Sequence, residues 1–369
     1  MSTDVQRCIG LMSGTSSDAI DAVLLEISED GRRAELIDTH SQPIDPELRE
    51  RIRAVSQGEN DRIDTVQALD VELAEHFSNA AAHLLANADG LQRTTIIGSH
   101  GQTVRHRPED KFPFSLQLGN GALIAARTGI TTVTDFRSGD IALGGQGAPL
   151  AGAFHRAMFY SQHNNRAIVN IGGIANVTVL TAAGPIIGFD TGPGNTLLDH
   201  WYRCHNNESF DRNSEWAAQG TPINHLGHAL QQHPYFMTAP PKSCGLETFN
   251  LKWLETYLDG TESAPDVQAT LLDLTVHTIT AAVQDHGGST AELYLCGGGA
   301  RNPAMVTAIA HHLVGMKVDT TAALGVAPEW VEAAAFAWMA WARLMGQPTN
   351  LTEVTGAERR LSLGAVYNP

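Results

Sequence analysis

Apolar residues recur along the chain in two arrangements: short unbroken runs that end in glycine, and longer stretches in which they return every three or four positions. The segment CIGLMSGTSSDAIDAVLLEI (8 to 27) opens the first kind. An apolar run, a Gly/Ser/Thr turn and a β-branched, leucine-rich run predict a hairpin of two strands. Residues 62 to 88, RIDTVQALDVELAEHFSNAAAHLLANA, place Val66, Leu69, Leu73 and Phe77 at helical spacing and predict a helix. TTIIGSHGQTV, from residue 94, predicts another strand.

The pattern then begins again. AIVNIGGIANVTVL (167 to 180) predicts strand, glycine turn and strand; PIIGFD (185 to 190) adds a third strand ending on Asp190, and NTLLDHW a helix from Asn195. This return predicts an internal repeat, of pattern more than of identity, beside the plainer reading that hairpins are common. LYLCGGGARNPAMVTAIAHHL (293 to 313) predicts a short strand, three glycines and a helix, with Asn302 at its N-cap and Pro303 at its first position. PEWVEAAAFAWMAWARLMG (328 to 346) predicts a helix between Pro328 and Gly346, with Trp330, Ala334, Trp338, Trp341 and Met345 as its buried stripe.

At 369 residues the chain exceeds an ordinary domain of about 150. We expect two, 1 to 140 and 141 to 369, divided near the loop TDFRSGDIALGGQGAP. With 43% hydrophobic and 17% charged residues a sizeable core is available. Forty acidic against 24 basic residues leave a formal charge of −16, which disfavours nucleic acid and anionic membrane surfaces as partners. Phosphates must then be held locally, by glycine-rich backbone and helix N-termini with a divalent cation. Cys8, Cys204, Cys244 and Cys296 show no C-x-x-C spacing and sit beside small or apolar residues, as reduced core thiols do. No run reaches the roughly 18 apolar residues of a membrane span, and MSTDVQRCIGLMSG has no leader pattern, so we expect a cytoplasmic protein.

Three glycine turns follow apolar strands: at Gly14, at Gly172 and Gly173, and at Gly297 to Gly299. Strands hold such turns rigid, and the missing side chains let backbone N–H groups approach phosphate oxygens. The first turn also carries Ser13, Thr15, Ser16, Ser17, Asp18 and Asp21. Neither G-x-x-x-x-G-K-[ST] nor G-x-G-x-x-G is present, which argues against P-loop and Rossmann folds. His225, His228 and His233 come without H-E-x-x-H or a cysteine pair and read as ordinary histidines. Asp190 has two readings. Before a glycine turn an aspartate commonly caps or makes an Asx-turn. At a strand's end, with glycines leaving room for a ligand, it fits a base facing a cleft. Glu332 reads as a first-turn glutamate facing the helix dipole.

In this order, GLMSGTSSDAIDAVLLEI, GSHGQTVRHRP, RTGITTVTDFRSGDIALGGQGAPL, NIGGIANVTVL, GFDTGPGN, CGGGARNP and PEWVEAAAFAW resemble the anhydro-N-acetylmuramic acid kinases of bacterial cell-wall recycling, over essentially the whole chain. The resemblance implies an α/β fold of two similar actin-like (ribonuclease H-like) domains clasping ATP, the repeat being the duplicated domain. It implies that Gly14, Thr15, Ser16, Ser17, Asp18, Ala19, Ile20 and Asp21 hold phosphates from one side and Gly172, Gly173 and Asn176 from the other. Gly297, Gly298, Gly299 and Asn302 would lie near the adenosine. Where the family reads G-T-S-x-D-G-x-D, this chain has Ala19 in place of the second glycine. Were φ positive there, alanine would cost about 1 kcal/mol.

The implied substrate is a muramic sugar whose O6 closes a 1,6-anhydro bridge to C1. Water adds at C1 while O6 receives the γ-phosphoryl of ATP. A glycosidase usually needs two carboxylates; with phosphoryl transfer stabilising the leaving oxygen, one base suffices, and the match to DTGPGN makes it Asp190. Glu332 matches a glutamate at the sugar site, where it would position water or hydroxyl groups. Mg²⁺ would be held largely by phosphate oxygens and water, with Asp18 reaching it through water. Arg137 is the candidate for the substrate's lactyl carboxylate, with a structural ion pair as the equal alternative. The resemblance also implies a homodimer. A conventional sugar kinase of the same fold, and a non-catalytic nucleotide sensor or chaperone-like ATPase, are the rival readings.

Overall fold

The computed structural model describes residues 5–86, 94–182, 184–206 and 208–369. Among them run twelve strands: β1 (Val5–Ser13), β2 (Ala19–Ser28), β3 (Ala34–Pro43), β4 (Thr94–Arg107), β5 (Phe114–Leu118), β6 (Thr131–Thr134), β7 (Arg166–Ile171), β8 (Ile174–Leu180), β9 (Ile187–Pro193), β10 (Glu292–Cys296), β11 (Lys317–Thr320) and β12 (Ala365–Tyr367). The chain divides into two compact units, Met1–Phe159 with Trp330–Pro369, and Tyr160–Glu329.

In the first unit the sheet runs β12-β6-β4-β1-β2-β3, with β5 paired to β4. β1, β2 and β3 are antiparallel neighbours, while β4 runs parallel to β1 and β6 parallel to β4. The central strands are buried on both faces because a helix covers each. On one side the helix Ile63–Ala86 buries Leu69, Leu73 and Phe77 at the predicted spacing; predicted residues 87 and 88 lie outside the described ones. Strand alternation sends Ile9 and Leu11 toward that helix and Gly10 the other way. There a Cβ on Gly10 would collide with the Ala333 carbonyl, and one on Gly98 with the Phe336 carbonyl. The helix Val331–Leu344 therefore lies directly on β1 and β4.

So close a seat changes the burial expected of that helix. Nearly every residue from Val331 to Ala342 is buried, not one stripe, while Trp330 is only partly buried and Met345 is exposed. A helix apolar all round belongs inside a fold. The expected boundary near 140 also moves, to 159/160. Buried Asp140 accepts hydrogen bonds from Asn350 (3.0 Å) and Thr355 (2.7 Å), and Phe154 packs edge-on against Trp338 (6.4 Å), so the chain from 140 to 159 is tied to the C-terminal segment. A further helix, Pro46–Gln57, lay outside the predictions because its apolar residues Leu48, Ile52 and Val55 are thinly spread among charges.

In the second unit the sheet runs β11-β10-β7-β8-β9. β7, β8 and β9 are antiparallel neighbours, and β10 and β11 run parallel to β7. This is the order and direction of β6-β4-β1-β2-β3 again. The repeat suggested by pattern is present as topology, and the fold is the expected α/β pair of ribonuclease H-like sheets. The helix Thr196–His205 starts at Asn195 and the helix Pro303–His312 at Asn302, both as predicted. Helix Ala264–His286 buries Leu271, Leu274 and Ile279 in a core with Phe189, Leu197 and Phe249. Cys8 and Cys296 are buried and Cys244 partly so, but Cys204 is exposed on the solvent side of its amphipathic helix; all four are thiols outside any disulfide. No described helix is long and apolar enough to cross a membrane.

Candidate active site

The strand does not end on Asp190 as expected: β9 runs on to Pro193, and Asp190 is its middle residue, in register with Asn176 on β8, which is in register with Asn170 on β7. Residues abreast in a sheet share a face, so three polar side chains form one row. A bulge between Ala175 and Asn176 leaves Thr191 outside the pairing and brings Asp190 into that row.

The corner is not bare, as its glycines suggested. Asp190 is only 6% exposed. A Cβ on Gly192 would meet the Phe236 ring, and one on Gly194 would collide with the Gly172 carbonyl, so both glycines make room for protein. Segment 235–244 closes over the aspartate. The Cys244 amide donates to its carboxylate (3.0 Å), the Tyr235 hydroxyl to its main-chain carbonyl (2.6 Å), and its own amide to the Lys242 carbonyl (3.3 Å). Lys242 is itself 9% exposed, with its ammonium donating to the Tyr235 carbonyl (3.0 Å) and lying 4.7 Å from the centre of the Tyr235 ring. Burial draws its pKa down, opposed by the nearby Cys244 and Asp190. Burial, and then the charge of Asp190, pushes the Cys244 thiol well up, so it stays protonated. Sequence reasoning missed Tyr235, Lys242 and Cys244 as neighbours of Asp190, because their contact spans about fifty residues with no periodicity to announce it.

The Gly172-Gly173 turn is occupied on its carbonyl side, where Gly194 and Thr196 amides donate to Gly173 (2.9 and 3.1 Å) and the Asn195 amide to Gly172 (2.8 Å). In the third motif, Cβ atoms on Gly297 and Gly299 would collide with Asn170 and Ile171, whereas exposed Gly298 meets only the Asn195 amide, at 3.8 Å. Packing thus explains two of the three glycines, and Gly298 presents the open face. Asn302 is committed to structure: its oxygen accepts from Ala304 (3.1 Å) and Met305 (3.3 Å), and its amide donates to Ser214 (2.6 Å). His233 likewise caps the turn at Tyr235 and lies among Phe249 and Trp253.

In the first unit the turn between β1 and β2 is open at its glycine. No protein atom lies within 4 Å of where a Cβ on Gly14 would stand, and Thr15, Ser16 and Asp18 are exposed. Asp18 pairs with Arg49 (2.9 Å), and Asp21 accepts from Ser41 (2.8 Å). Ala19 begins β2 with Ile20 buried behind it, and the positive φ of the turn falls on Ser17, at 52°. The feared strain at Ala19 is absent.

Arg137 lies on the loop after β6. Its Nε (3.2 Å) and Nη2 (2.8 Å) donate to Nε2 of His100, and its Nη1 to the Gly147 carbonyl (2.6 Å). The His100 ring packs against Phe336, centroids 4.6 Å apart. Glu332 is four residues earlier on that helix, hence on the same face as Phe336. The unit therefore gathers Arg137, His100 and the Glu332 face; Asp190 belongs to the other unit. Among the described residues no group of three or more His, Cys, Asp or Glu is placed to hold a metal ion.

These elements can be set beside known proteins. The sequence profile of the family described as anhydro-N-acetylmuramic acid kinase matches residues 6–369. A protein of that name from Xylella fastidiosa is 46% identical over 364 residues, covering 97% of this chain and 95% of the relative. Another from Nitrosomonas europaea is 46% identical over 361 residues, covering 97% and 99%. A third from Aliivibrio fischeri is 43% identical over 366 residues, covering 98% and 99%. With matches of this length and depth, the chain belongs to the anhydro-N-acetylmuramic acid kinase family.

Proposed function

We propose that the chain performs its family's reaction, a step of peptidoglycan recycling, by joining two events on one sugar. Water adds at C1 of 1,6-anhydro-N-acetylmuramic acid as Asp190 takes its proton, and the departing O6 takes the γ-phosphoryl of ATP. The C1–O6 bond and the bond from the γ-phosphorus to its bridging oxygen break. New bonds form from water oxygen to C1 and from O6 to phosphorus, leaving N-acetylmuramic acid 6-phosphate and ADP.

The observation that supports this is the setting of Asp190, a carboxylate 6% exposed and aimed by the Cys244 amide. A general base needs a directed lone pair within reach of its proton, and an amide donor fixes that direction. The charge of Asp190 in turn works against the burial that draws the Lys242 pKa down. Glu332 orders water and hydroxyl groups at the sugar. Arg137 receives the lactyl carboxylate.

The turn of Gly14 to Asp21 and the turn of Gly172, Gly173 and Asn176 take the phosphates, and Gly297 to Gly299 with Asn302 frame the adenosine, chiefly through the open face of Gly298. Mg²⁺, held by phosphate oxygens, water and, through water, Asp18, supplies neutralising charge to the transferring group. We place the protein in the cytoplasm as a homodimer.

Product analysis tests the reading. Incubation with ATP and the anhydro sugar is expected to yield one reducing sugar phosphate per ADP. A phosphorylated sugar that stays non-reducing indicates a conventional kinase, and ADP released without regard to sugar indicates an ATPase.

A further inference from the structure

His100 is 4% exposed and stands on β4 just before a glycine at φ 75°, a left-handed turn that brings the Gly101 carbonyl to 2.9 Å from its Nδ1. A nitrogen that close to a carbonyl oxygen must bear the proton. The other nitrogen, Nε2, faces two guanidinium N–H groups of Arg137, at 2.8 and 3.2 Å, and must offer its lone pair. Both hydrogen bonds therefore fix one neutral tautomer. The ring plane is held in turn by Phe336, 4.6 Å away. Burial, and then the Arg137 charge, keep the imidazole pKa well below its usual value, so the neutral form persists across the working range.

A neutral acceptor has a particular effect on a guanidinium. A carboxylate at this position would orient Arg137 and also cancel its charge. The imidazole orients it in the guanidinium plane, and the Gly147 carbonyl fixes Nη1 (2.6 Å), and neither brings a negative charge of its own. Such a group suits recognition of an anion whose position matters.

We propose that His100 is a positioning residue that sets specificity for the carboxylated sugar, by holding the Arg137 guanidinium in the orientation that receives the lactyl carboxylate. The inference rests on the role given to Arg137 above, and its test separates the two.

The measurement is kcat and KM of His100→Asn, His100→Gln and Arg137→Met for two sugars, 1,6-anhydro-N-acetylmuramic acid and its counterpart lacking the lactyl ether, 1,6-anhydro-N-acetylglucosamine. Asn keeps the bond to Gly101 but falls short of Arg137; Gln reaches it. For the carboxylated sugar we expect His100→Asn to raise KM about tenfold or more with kcat within about threefold, and His100→Gln to recover most of the loss. For the lactyl-free sugar kcat/KM should stay within about twofold. Where that sugar turns over too slowly to time, the KM-against-kcat split decides. Equal losses on both sugars for His100→Asn, with Arg137→Met selective, overturn the role of His100 alone. An Arg137→Met variant that does not discriminate between the sugars overturns the role of Arg137.

Discussion

The two units share one sheet and differ in what was added to it. In the first, the third residue of β2, Asp21, pairs with Ser41, and β3 ends at Pro43 opposite Ala19. In the second, the third residue of β8, Asn176, pairs with Asp190, and β9 ends at Pro193 opposite Ile174. Ser41 is exposed, whereas Asp190 is enclosed by segment 235–244. A one-residue bulge and a covering segment thus give one copy a directed carboxylate where the other has a surface serine. The turns differ in the opposite sense. Residues 14–18 make a long exposed turn with hydroxyls, while Gly172 and Gly173 make a short one whose carbonyls accept from the next helix. The duplicated frame fixes where groups stand, and local additions decide which of them are enclosed and directed.

The contrast between Asp190 and Ser41 should break most visibly on substitution. Asp190→Asn removes the proposed base while keeping its size, and steady-state turnover is expected to fall about 10²- to 10⁴-fold, with ATP affinity by equilibrium titration little changed. Ser41→Ala, at the matching position, should leave turnover near wild type. An Asp190→Asn variant with full turnover would erase the distinction.

Packing contrasts come next. Gly10→Ala pushes a methyl into the Ala333 carbonyl, and urea unfolding should show a loss of about 2–3 kcal/mol. Gly14→Ala, at the open turn only four residues on, should cost under about 0.5 kcal/mol.

Acid should also separate the halves. Burial lowers the pKa of His106 to about 4 and that of His155 to about 3, with Arg137 and Arg107 adding to the shift at His106; both belong to the first unit. The unfolded values stay near 6.5, so below that pH the unfolded chain binds protons that the folded one refuses. Stability is full above about pH 6.5 and falls by about 1.4 kcal/mol per pH unit per histidine until the folded values are reached. In the second unit burial lowers the pKa of partly buried His233 as well, but no histidine there among the described residues is fully buried. Hydrogen exchange between pH 7 and 5 should therefore show β1 and β4 losing protection before β7 and β10. Simultaneous loss would show that the units do not respond separately.

A small effect is expected at Ala19. Because it starts a strand, Ala19→Gly should lower stability by about 0.5–1 kcal/mol and leave the KM for ATP within about twofold. A gain in ATP affinity would mean the turn wants glycine there after all.

Much of the frame was legible because period and glycine declare it. Apolar runs broken at Gly14 and at Gly172-Gly173 gave both hairpins, Asn302 and Pro303 gave a helix start, and every third or fourth apolar position gave Ile63–Ala86. Asp190 drew notice by an expected place at a strand end, although β9 carries on to Pro193. What covers it did not, since Tyr235, Lys242 and Cys244 are brought back to it from beyond the helices Thr196–His205 and Asn224–Gln231. His100 stands within GSHGQTVRHRP, but a buried histidine's partners depend on strand neighbours and loops that no local pattern encodes. The glycines misled in one respect: Gly192, Gly194, Gly297 and Gly299 admit protein where they suggested space for ligand.

The central claim, that Asp190 drives water onto C1 while O6 is phosphorylated, is tested most directly in water enriched in oxygen-18. With ATP, Mg²⁺ and 1,6-anhydro-N-acetylmuramic acid, phosphorus and proton NMR should follow the 6-phosphate as it forms, and prompt mass spectrometry should find the heavy oxygen at C1 and not in the phosphoryl group. Heavy oxygen in released inorganic phosphate, with the anhydro bridge intact, would contradict the account.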